Sequence, residues 1–284
     1  MAYITDTWET IAENCAKGFA KTLYKLGDLK TITINWGDTT EDIDMEIVGF
    51  SHDDKSDGTG KAAITFFSKQ LLSTNQRMSA YSYNDGGWAG SSSLRSWCNS
   101  TLFNALPADL QAAIVEVKKW SDGGQNSTAL VETNDKCWFG SCEELIYAGG
   151  VVSPTVKGQG TRYPQTMIHA SGIDGNWLKK AKADGTLETY WLRTCKTDSN
   201  YWACYNSSNG WMATAPGLSS LAIAFGFCVG VVSAVSAVDS EEYLITGTRY
   251  IQIADQVRRI RGITTALTPA QIVSELAQVP DATA

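Results

Sequence analysis

Tyr190-Trp191-Leu192-Arg193-Thr194-Cys195 and Ala222-Ile223-Ala224-Phe225-Gly226-Phe227-Cys228-Val229 are the apolar ends of the stretch around which the chain is organised. β-branched and aromatic residues fit a pleated, half-buried surface, so both ends predict strands. Between them lies Asn200-Tyr201-Trp202-Ala203-Cys204-Tyr205-Asn206-Ser207-Ser208-Asn209-Gly210-Trp211, which is too polar for a core. The sequence therefore predicts a display surface held between two core strands.

The residue types of this polar stretch are typical of binding loops. Rigid Tyr and Trp rings supply contact area at low entropic cost, and Asn and Ser supply adaptable hydrogen bonds. The alternative interpretation is that the rings are ordinary sheet residues and that Asn and Ser are ordinary turn residues. The candidate ligand-binding residues are Asn200, Tyr201, Trp202, Tyr205, Asn206, Ser207, Asn209 and Trp211.

Composition limits the classes of partner. The chain has 284 residues, 43% of them hydrophobic, and a formal net charge of −7. Phosphate-binding surfaces need clustered Lys and Arg, so this charge argues against nucleic acid or an anionic membrane as the main partner. The one basic cluster, Arg258, Arg259 and Arg261, is explained better by a solvated helix face.

Neither a leader nor a membrane span is expected. The segment Met1-Ala2-Tyr3-Ile4-Thr5-Asp6 lacks a charged start followed by an apolar run, so we predict synthesis in a cytoplasm without a secretory signal. Residues 218–238 are uncharged and about as long as a membrane span, but they contain several Ser and Gly residues. Buried consecutive strands are the favoured interpretation, with no membrane insertion.

The sequence predicts no metal site, no cofactor and no catalytic residue. The seven cysteines lack the C-x-x-C pairing, and His52 and His169 lie far from them in sequence. Asp53, Asp54 and Asp57 form a polar loop whose Gly and Glu are misplaced for an EF-hand, so a solvated turn is favoured. Nucleophile-elbow, Walker and dinucleotide motifs are absent, and both histidines are interpreted as turn residues.

Periodicity predicts the main elements. Residues 7–26 carry apolar side chains at helical spacing, and residues 31–50 alternate as a hairpin. Residues 62–67 and 114–120 predict further strands, separated by a segment from Met78 to Ser93 that is rich in Tyr, Asn, Gly and Ser. Residues 177–183 predict a brief helix with Lys179, Lys180 and Lys182 facing water.

A shift in composition at Asp239-Ser240-Glu241-Glu242 predicts a boundary between residues 1–238 and residues 239–284. The second part carries two apolar helical patterns, residues 250–261 and 268–279, the latter with Pro269 at its first position. A helical hairpin this small cannot bury its own face, so it must pack on the main domain or on another copy.

Several separated motifs then resemble the C-type-lectin-like domains of tailed phages, prophages and gut-type bacteria. In order, they are Asp42-Ile43-Asp44-Met45-Glu46-Ile47-Val48-Gly49-Phe50 with His52-Asp53, Gly87-Trp88, Leu94-Arg95-Ser96-Trp97-Cys98-Asn99-Ser100, Asn104-Ala105-Leu106-Pro107, Tyr190-Trp191-Leu192-Arg193 and Ala224-Phe225-Gly226-Phe227-Cys228-Val229. The resemblance implies an α+β fold with small antiparallel sheets, flanking helices and long loops.

The resemblance also implies a function. Phage tropism determinants and other targets of diversity-generating retroelements carry variable residues near such a loop region. The residues that match them by position and type are Asn200, Tyr201, Tyr205, Asn206, Asn209 and Trp211. Ile253-Ala254-Asp255-Gln256-Val257-Arg258 with Thr268-Pro269-Ala270-Gln271-Ile272 resembles a helical segment of phage tail proteins. The expectation is a phage tail adhesin in the virion that forms a homo-oligomer, with a trimer favoured. Its expected partners are a bacterial surface protein or glycan and other tail proteins.

Two alternatives stay open. The same fold hosts formylglycine-generating oxidases, which use a cysteine pair, and Cys195 with Cys204 is the pair nearest the required place. The other alternative is a purely architectural tail component. The Glu-Pro-Asn and Trp-Asn-Asp motifs of calcium-dependent lectins are absent, so calcium-dependent sugar binding is not expected.

Overall fold

The computed structural model describes residues 2–145, 158–170 and 177–230. Contacts divide the chain into two units, Met1–Ser233 and Ala234–Ala284. The predicted boundary after residue 238 and the predicted C-terminal helical hairpin lie outside the described residues.

The described part mixes short helices with antiparallel strands, so the α+β prediction is confirmed at this level. The helices are α1 (Trp8–Ala16), α2 (Ala20–Leu23), α3 (Gly87–Gly90), α4 (Ser93–Trp97), α5 (Phe103–Ala105), α6 (Ala108–Ala113), α7 (Cys142–Leu145) and α8 (Pro164–Ala170), with a π-helical turn over Cys98–Leu102. The strands are β1 (Leu29–Asn35), β2 (Thr40–Phe50), β3 (Ile64–Ser68), β4 (Gln76–Arg77), β5 (Ile114–Val115), β6 (Val117–Asp122), β7 (Leu130–Asp135), β8 (Cys137–Trp138), β9 (Thr189–Cys195), β10 (Tyr201–Asn206), β11 (Trp211–Pro216), β12 (Ser220–Leu221) and β13 (Gly226–Val229).

A six-stranded sheet holds the centre of the fold. Its order is β1-β2-β3-β13-β5, and β8 also pairs with β13. The predicted hairpin is confirmed, because β1 and β2 pair from Leu29 opposite Glu46 to Asn35 opposite Thr40. A three-stranded sheet follows the order β11-β10-β9, and β4–β12 and β6–β7 form two-stranded ribbons. Each of these pairings is antiparallel.

The first predicted helix is broken. Helix α1 begins after Thr7, whose hydroxyl accepts a hydrogen bond from the Thr10 amide, and it ends at Ala16. Gly18 adopts a φ of 75°, which is left-handed and stops the helix before α2 begins. The apolar spacing therefore predicted the buried face of α1 correctly, but the prediction of a single helix over residues 7–26 is wrong.

The central stretch also differs from its prediction. The strand at Tyr190–Cys195 is confirmed as part of β9, but the polar segment that follows is the β10–β11 hairpin rather than a loop. Trp202 and Cys204 lie in one buried hydrophobic cluster, whereas Ala203 and Tyr205 lie in the other. Apart from the exposed Tyr201 and the half-buried Asn206 at its ends, strand β10 is therefore buried on both faces.

Strand β3 likewise serves both clusters, with Phe66 in the first and Phe67 in the second. In the first cluster, the Trp8 ring meets Phe66 and Phe227 edge-on at centroid distances of 5.3 Å and 5.7 Å. Residues 177–183 form turns rather than the predicted helix, and Lys180 is buried rather than facing water. None of the described helices is both long and apolar enough to cross a membrane.

Candidate functional site

The structure separates the eight residues predicted to bind a ligand. Tyr201 is 40% exposed and Asn209 is exposed, while Asn200 and Asn206 are half-buried. Trp202, Tyr205 and Ser207 are buried, so their predicted exposure is wrong. The side chain of Trp211 lies outside the described residues. These positions do not form one outward-facing patch.

The burial of these rings has a specific cause. Trp202 pairs with Cys195 of β9 on one side and with Ala215 of β11 on the other, so β10 is the middle strand of its sheet. A middle strand covered on both faces buries successive side chains, including the polar ones at its end. Ser207 is satisfied there, because its hydroxyl accepts a hydrogen bond from the Lys180 amide at 3.1 Å.

A different exposed aromatic pair lies in the segment between β4 and α3. Tyr81 and Tyr83 are 58% and 42% exposed, and their rings stack with centroids 4.9 Å apart and planes 7° from parallel. Stacking fixes two large rings against each other without burying them in the core. The pair therefore forms a flat, exposed aromatic platform.

Asn84 attaches this segment to the turn before β10. Its buried side chain donates from Nδ2 to the carbonyl oxygens of Lys196, Ser199 and Tyr201 at 3.1, 3.1 and 3.0 Å. Its Oδ1 accepts from the Gln125 amide at 2.8 Å. One amide thus joins the tyrosine segment to the backbone of residues 196–201, although the two segments are more than one hundred residues apart.

Beside the platform runs a shallow open groove, which we call the tyrosine groove. Its first half, of about 390 Å³, is lined by Tyr81, Tyr83, Asp85, Ser91, Ser93 and Ser96. Its second half, of about 490 Å³, shares Ala80 and Ser93 with the first and adds Asn75, Gln76, Arg77 and Ser220. Rings, hydroxyls and amides dominate this lining, which is the residue mixture of binding loops.

Several buried polar atoms in and around the groove lack a hydrogen-bond partner within the described part of the chain. Ser91 Oγ and Asn75 Oδ1 belong to residues that line the groove, and Ser199 Oγ and Trp202 Nε1 are two further such atoms. The Trp202 indole nitrogen lies close to Gly217, where an added Cβ would be 3.2 Å from it and 3.2 Å from the Tyr81 carbonyl oxygen. Buried polar atoms are normally paired, so these atoms favour ordered water inside the fold; because they are buried, they do not themselves face the groove.

The floor of the groove is rigid. Helix α4 is capped by Ser92, whose hydroxyl accepts from the Arg95 amide at 3.1 Å. The buried carboxylate of Asp135 accepts from Arg95 Nε at 2.7 Å and from Trp88 Nε1 at 2.9 Å. It also accepts from Asn99 Nδ2 at 3.1 Å. Charge-assisted bonds of this kind lock the helices that carry the serines.

A second polar cluster is fully enclosed and is a structural feature. Lys119 Nζ contacts a carboxylate oxygen of Asp53, Glu144 Oε1 at 3.1 Å and the Tyr163 hydroxyl at 2.9 Å. Arg193 contacts the second oxygen of Glu144. All four charged residues are buried, with two positive and two negative charges. The prediction of a solvated turn at Asp53 is therefore wrong.

The charges in this cluster stabilise one another. Burial alone would raise the pKa of Asp53, but Lys119 lowers that pKa well below its usual range. Burial also opposes ionisation of Glu144, and Arg193 and Lys119 together lower its pKa. His52 lies on one side of the cluster, with Nδ1 3.4 Å from Asp53 Oδ2 and Nε2 3.0 Å from Thr161 Oγ1. These groups are buried and their charges balance, so each buried carboxylate has a cationic partner that offsets its loss of solvation.

The cysteine pair considered for oxidase chemistry is poorly suited to it. Cys195 and Cys204 are buried free thiols. Burial raises the pKa of Cys204 to about 12 and raises the pKa of Cys195 well above its usual range. Reactive cysteines need a lowered pKa and access to solvent, and neither thiol has these properties. No group of three His, Cys, Asp or Glu side chains among the described residues could hold a metal ion.

The comparisons with known proteins assign no activity. A family model described as Domain of unknown function (DUF6273) matches residues 63–229, more than half of the chain. Searches of curated proteins and of solved structures found no match. The matched range contains the whole tyrosine groove. Sequence reasoning missed this groove, although the richness of residues 78–93 in Tyr, Asn, Gly and Ser was a signal for it.

Proposed function

The chain belongs to the DUF6273 family, a domain of unknown function, and we propose that it is a ligand-display module rather than an enzyme. The tyrosine groove is its binding surface. The observation that carries the proposal is the exposed, stacked pair Tyr81–Tyr83 beside a groove lined by hydroxyls and amides. Large rings held rigid on a surface bind partners with little loss of side-chain entropy.

We further propose the biological setting that the sequence motifs suggest. The module would have the C-type-lectin-like fold and would act in a phage or prophage tail as an adhesin for the bacterial surface. A mixed fold with antiparallel sheets and an irregular, aromatic surface between them is compatible with this role. The exposed Tyr201, whose carbonyl oxygen accepts a hydrogen bond from Asn84, is a further candidate contact outside the lining of the groove.

The proposal is tested by binding of the full chain to bacteria. Labelled protein is incubated with a panel of Gram-negative and Gram-positive cells, and the bound fraction is compared with that of the double variant Tyr81→Ala/Tyr83→Ala. Both rings are exposed, so we expect binding to weaken at least about tenfold while the melting temperature changes by less than about 2 °C.

The matched control is Tyr3→Ala, which removes an equally exposed tyrosine that hydrogen-bonds Asp44 and does not line the groove. It should bind as the unmodified protein does. Unchanged binding by the double variant would contradict the assignment of the groove. Absence of binding to every cell type would favour an architectural tail component instead.

A further inference from the structure

The lining of the tyrosine groove indicates which chemical class of ligand it takes. Beside the platform, the first half presents serine hydroxyls and a single carboxylate, Asp85. Ala80 is the one aliphatic residue in the lining, and Gln76 and Arg77 add only the methylene groups of their side chains. The groove therefore offers one flat aromatic face and many hydrogen-bonding groups, but no deep apolar pocket.

A sugar ring has the complementary surface. One face of a pyranose carries C–H groups that pack on an aromatic ring, and its rim carries hydroxyls that both donate and accept hydrogen bonds. Ser93 and Ser96 are exposed members of the lining, and their hydroxyls can bind such a rim. The two adjoining depressions, of about 390 and 490 Å³, share Ala80 and Ser93 and together have room for more than one sugar unit.

Other ligand classes fit less well. A peptide that anchors through apolar side chains needs an apolar pocket, which this lining does not supply. The ribbon of β4 and β12 lines the second half, so a strand-adding peptide is the outcome that the protease treatment below tests. An anionic ligand needs clustered cations, but the first half contains Asp85 and the second half contains one cation, Arg77.

We propose, building on the function proposed above, that the tyrosine groove binds a neutral oligosaccharide without a metal ion. Tyr81 supplies the stacking face, Tyr83 supports it from behind, and the exposed Ser93 and Ser96 side chains hydrogen-bond the sugar hydroxyls. Calcium takes several oxygen ligands, including carboxylates, whereas the lining of the groove contains one carboxylate, Asp85, so the proposed binding mode uses no metal ion.

The first experiment separates sugars from proteins as the ligand. Bacterial envelopes that bind the full chain are treated with periodate, which cleaves vicinal diols of sugars, or with proteinase K. We expect periodate to abolish binding and proteinase K to leave it unchanged. The reverse result would overturn the oligosaccharide inference and leave the adhesin proposal intact. Absence of binding to untreated envelopes would overturn both.

The second experiment identifies the charge class. The full chain is applied to a printed panel of neutral hexose and N-acetylhexosamine oligosaccharides beside sialylated and sulfated ones, with and without EDTA. We expect retention on neutral members that EDTA does not change. Tyr81→Ala should weaken it at least about tenfold, and Tyr81→Phe, which keeps the ring, should weaken it less than about threefold. Binding confined to acidic members, retention on no neutral member, or loss in EDTA would overturn the inference.

Discussion

Replacing Asn84 with alanine should damage both the stability of the protein and its proposed binding surface. The Asn84 amide joins the tyrosine segment to the turn before β10 through three donated bonds and one accepted bond. Its two N–H hydrogens serve three carbonyl oxygens, so at least one hydrogen is shared. The Tyr201 oxygen also accepts from the Lys196 amide at 2.9 Å and would keep a partner after the substitution.

The size of the effect follows from the groups that lose a partner. Carbonyl oxygens of Lys196 and Ser199 and the amide of Gln125 would each lose the bond to Asn84. At about 1 kcal/mol for each bond, the free energy of unfolding should fall by about 3 kcal/mol. For a unit of this size, that corresponds to a melting temperature lower by roughly 6 to 12 °C.

Urea denaturation followed by tryptophan fluorescence measures this change, with Asn35→Ala as the control. The Asn35 amide is exposed and accepts one local bond from Gly37 N at 2.9 Å, so its loss should cost less than about 1 kcal/mol. A loss below about 1 kcal/mol for Asn84→Ala would refute the assignment of Asn84 as the link between the two segments.

Asn84→Asp gives a second, independent test at nearly constant shape. The new carboxylate would face carbonyl oxygens in a buried site, so its pKa in the folded state should lie above the unfolded value of about 3.9. The folded state then binds more protons than the unfolded state in that pH window. Stability should therefore fall as the pH rises through the window and recover on acidification, unlike that of Asn84→Ala.

Two further predictions concern the fold. Burial lowers the pKa of Lys180, whose Nζ lies 4.1 Å from the Trp177 ring centroid, to about 7. The unfolded chain therefore binds more protons than the folded chain between pH 7 and 10.5, so the free energy of unfolding rises with pH in that range. Between about pH 6 and 8.5, Lys180→Met should remove about 1 to 2 kcal/mol of this rise, as measured by urea titrations at each pH. An equal slope in both proteins would contradict this. Gly87 has a φ of 57°, and an added Cβ would overlap the Asp122 carbonyl oxygen, so Gly87→Ala should cost more than about 3 kcal/mol in the same assay. Gly37 has a φ of 93° with open space around it, so Gly37→Ala should cost only about 1 kcal/mol, and similar losses at both positions would show that the close contact is unimportant.

Parts of the fold were readable from local pattern because one face of the element meets water. In β1, Ile32 and Ile34 are buried whereas Thr31 and Thr33 are not, and this alternation predicted the hairpin with β2. The helical spacing of Trp8, Ile11 and Cys15 predicted the buried face of α1 in the same way.

Local pattern could not identify elements buried on both faces. In β10, Trp202 and Tyr205 resemble the rings of a binding loop when only the local sequence is considered. The residues that bury them come from β9, from β11 and from distant helices, so the local sequence does not reveal the burial. The ion pair between Asp53 and Lys119 joins residues 66 positions apart, so a carboxylate in a polar loop was interpreted as solvated. Burial is a property of what packs on a residue, and sequence neighbours do not report it.

The sequence by itself determined the mixture of helices and antiparallel strands, the hairpin and the residue types available for binding. Only the tertiary structure decided which aromatic rings remain exposed. The segment that carries the exposed Tyr81 and Tyr83 is bonded through Asn84 to a turn that follows more than one hundred residues later. Hydrogen-bond partners that distant are brought together by the packing of the whole core, and no local periodicity encodes that packing.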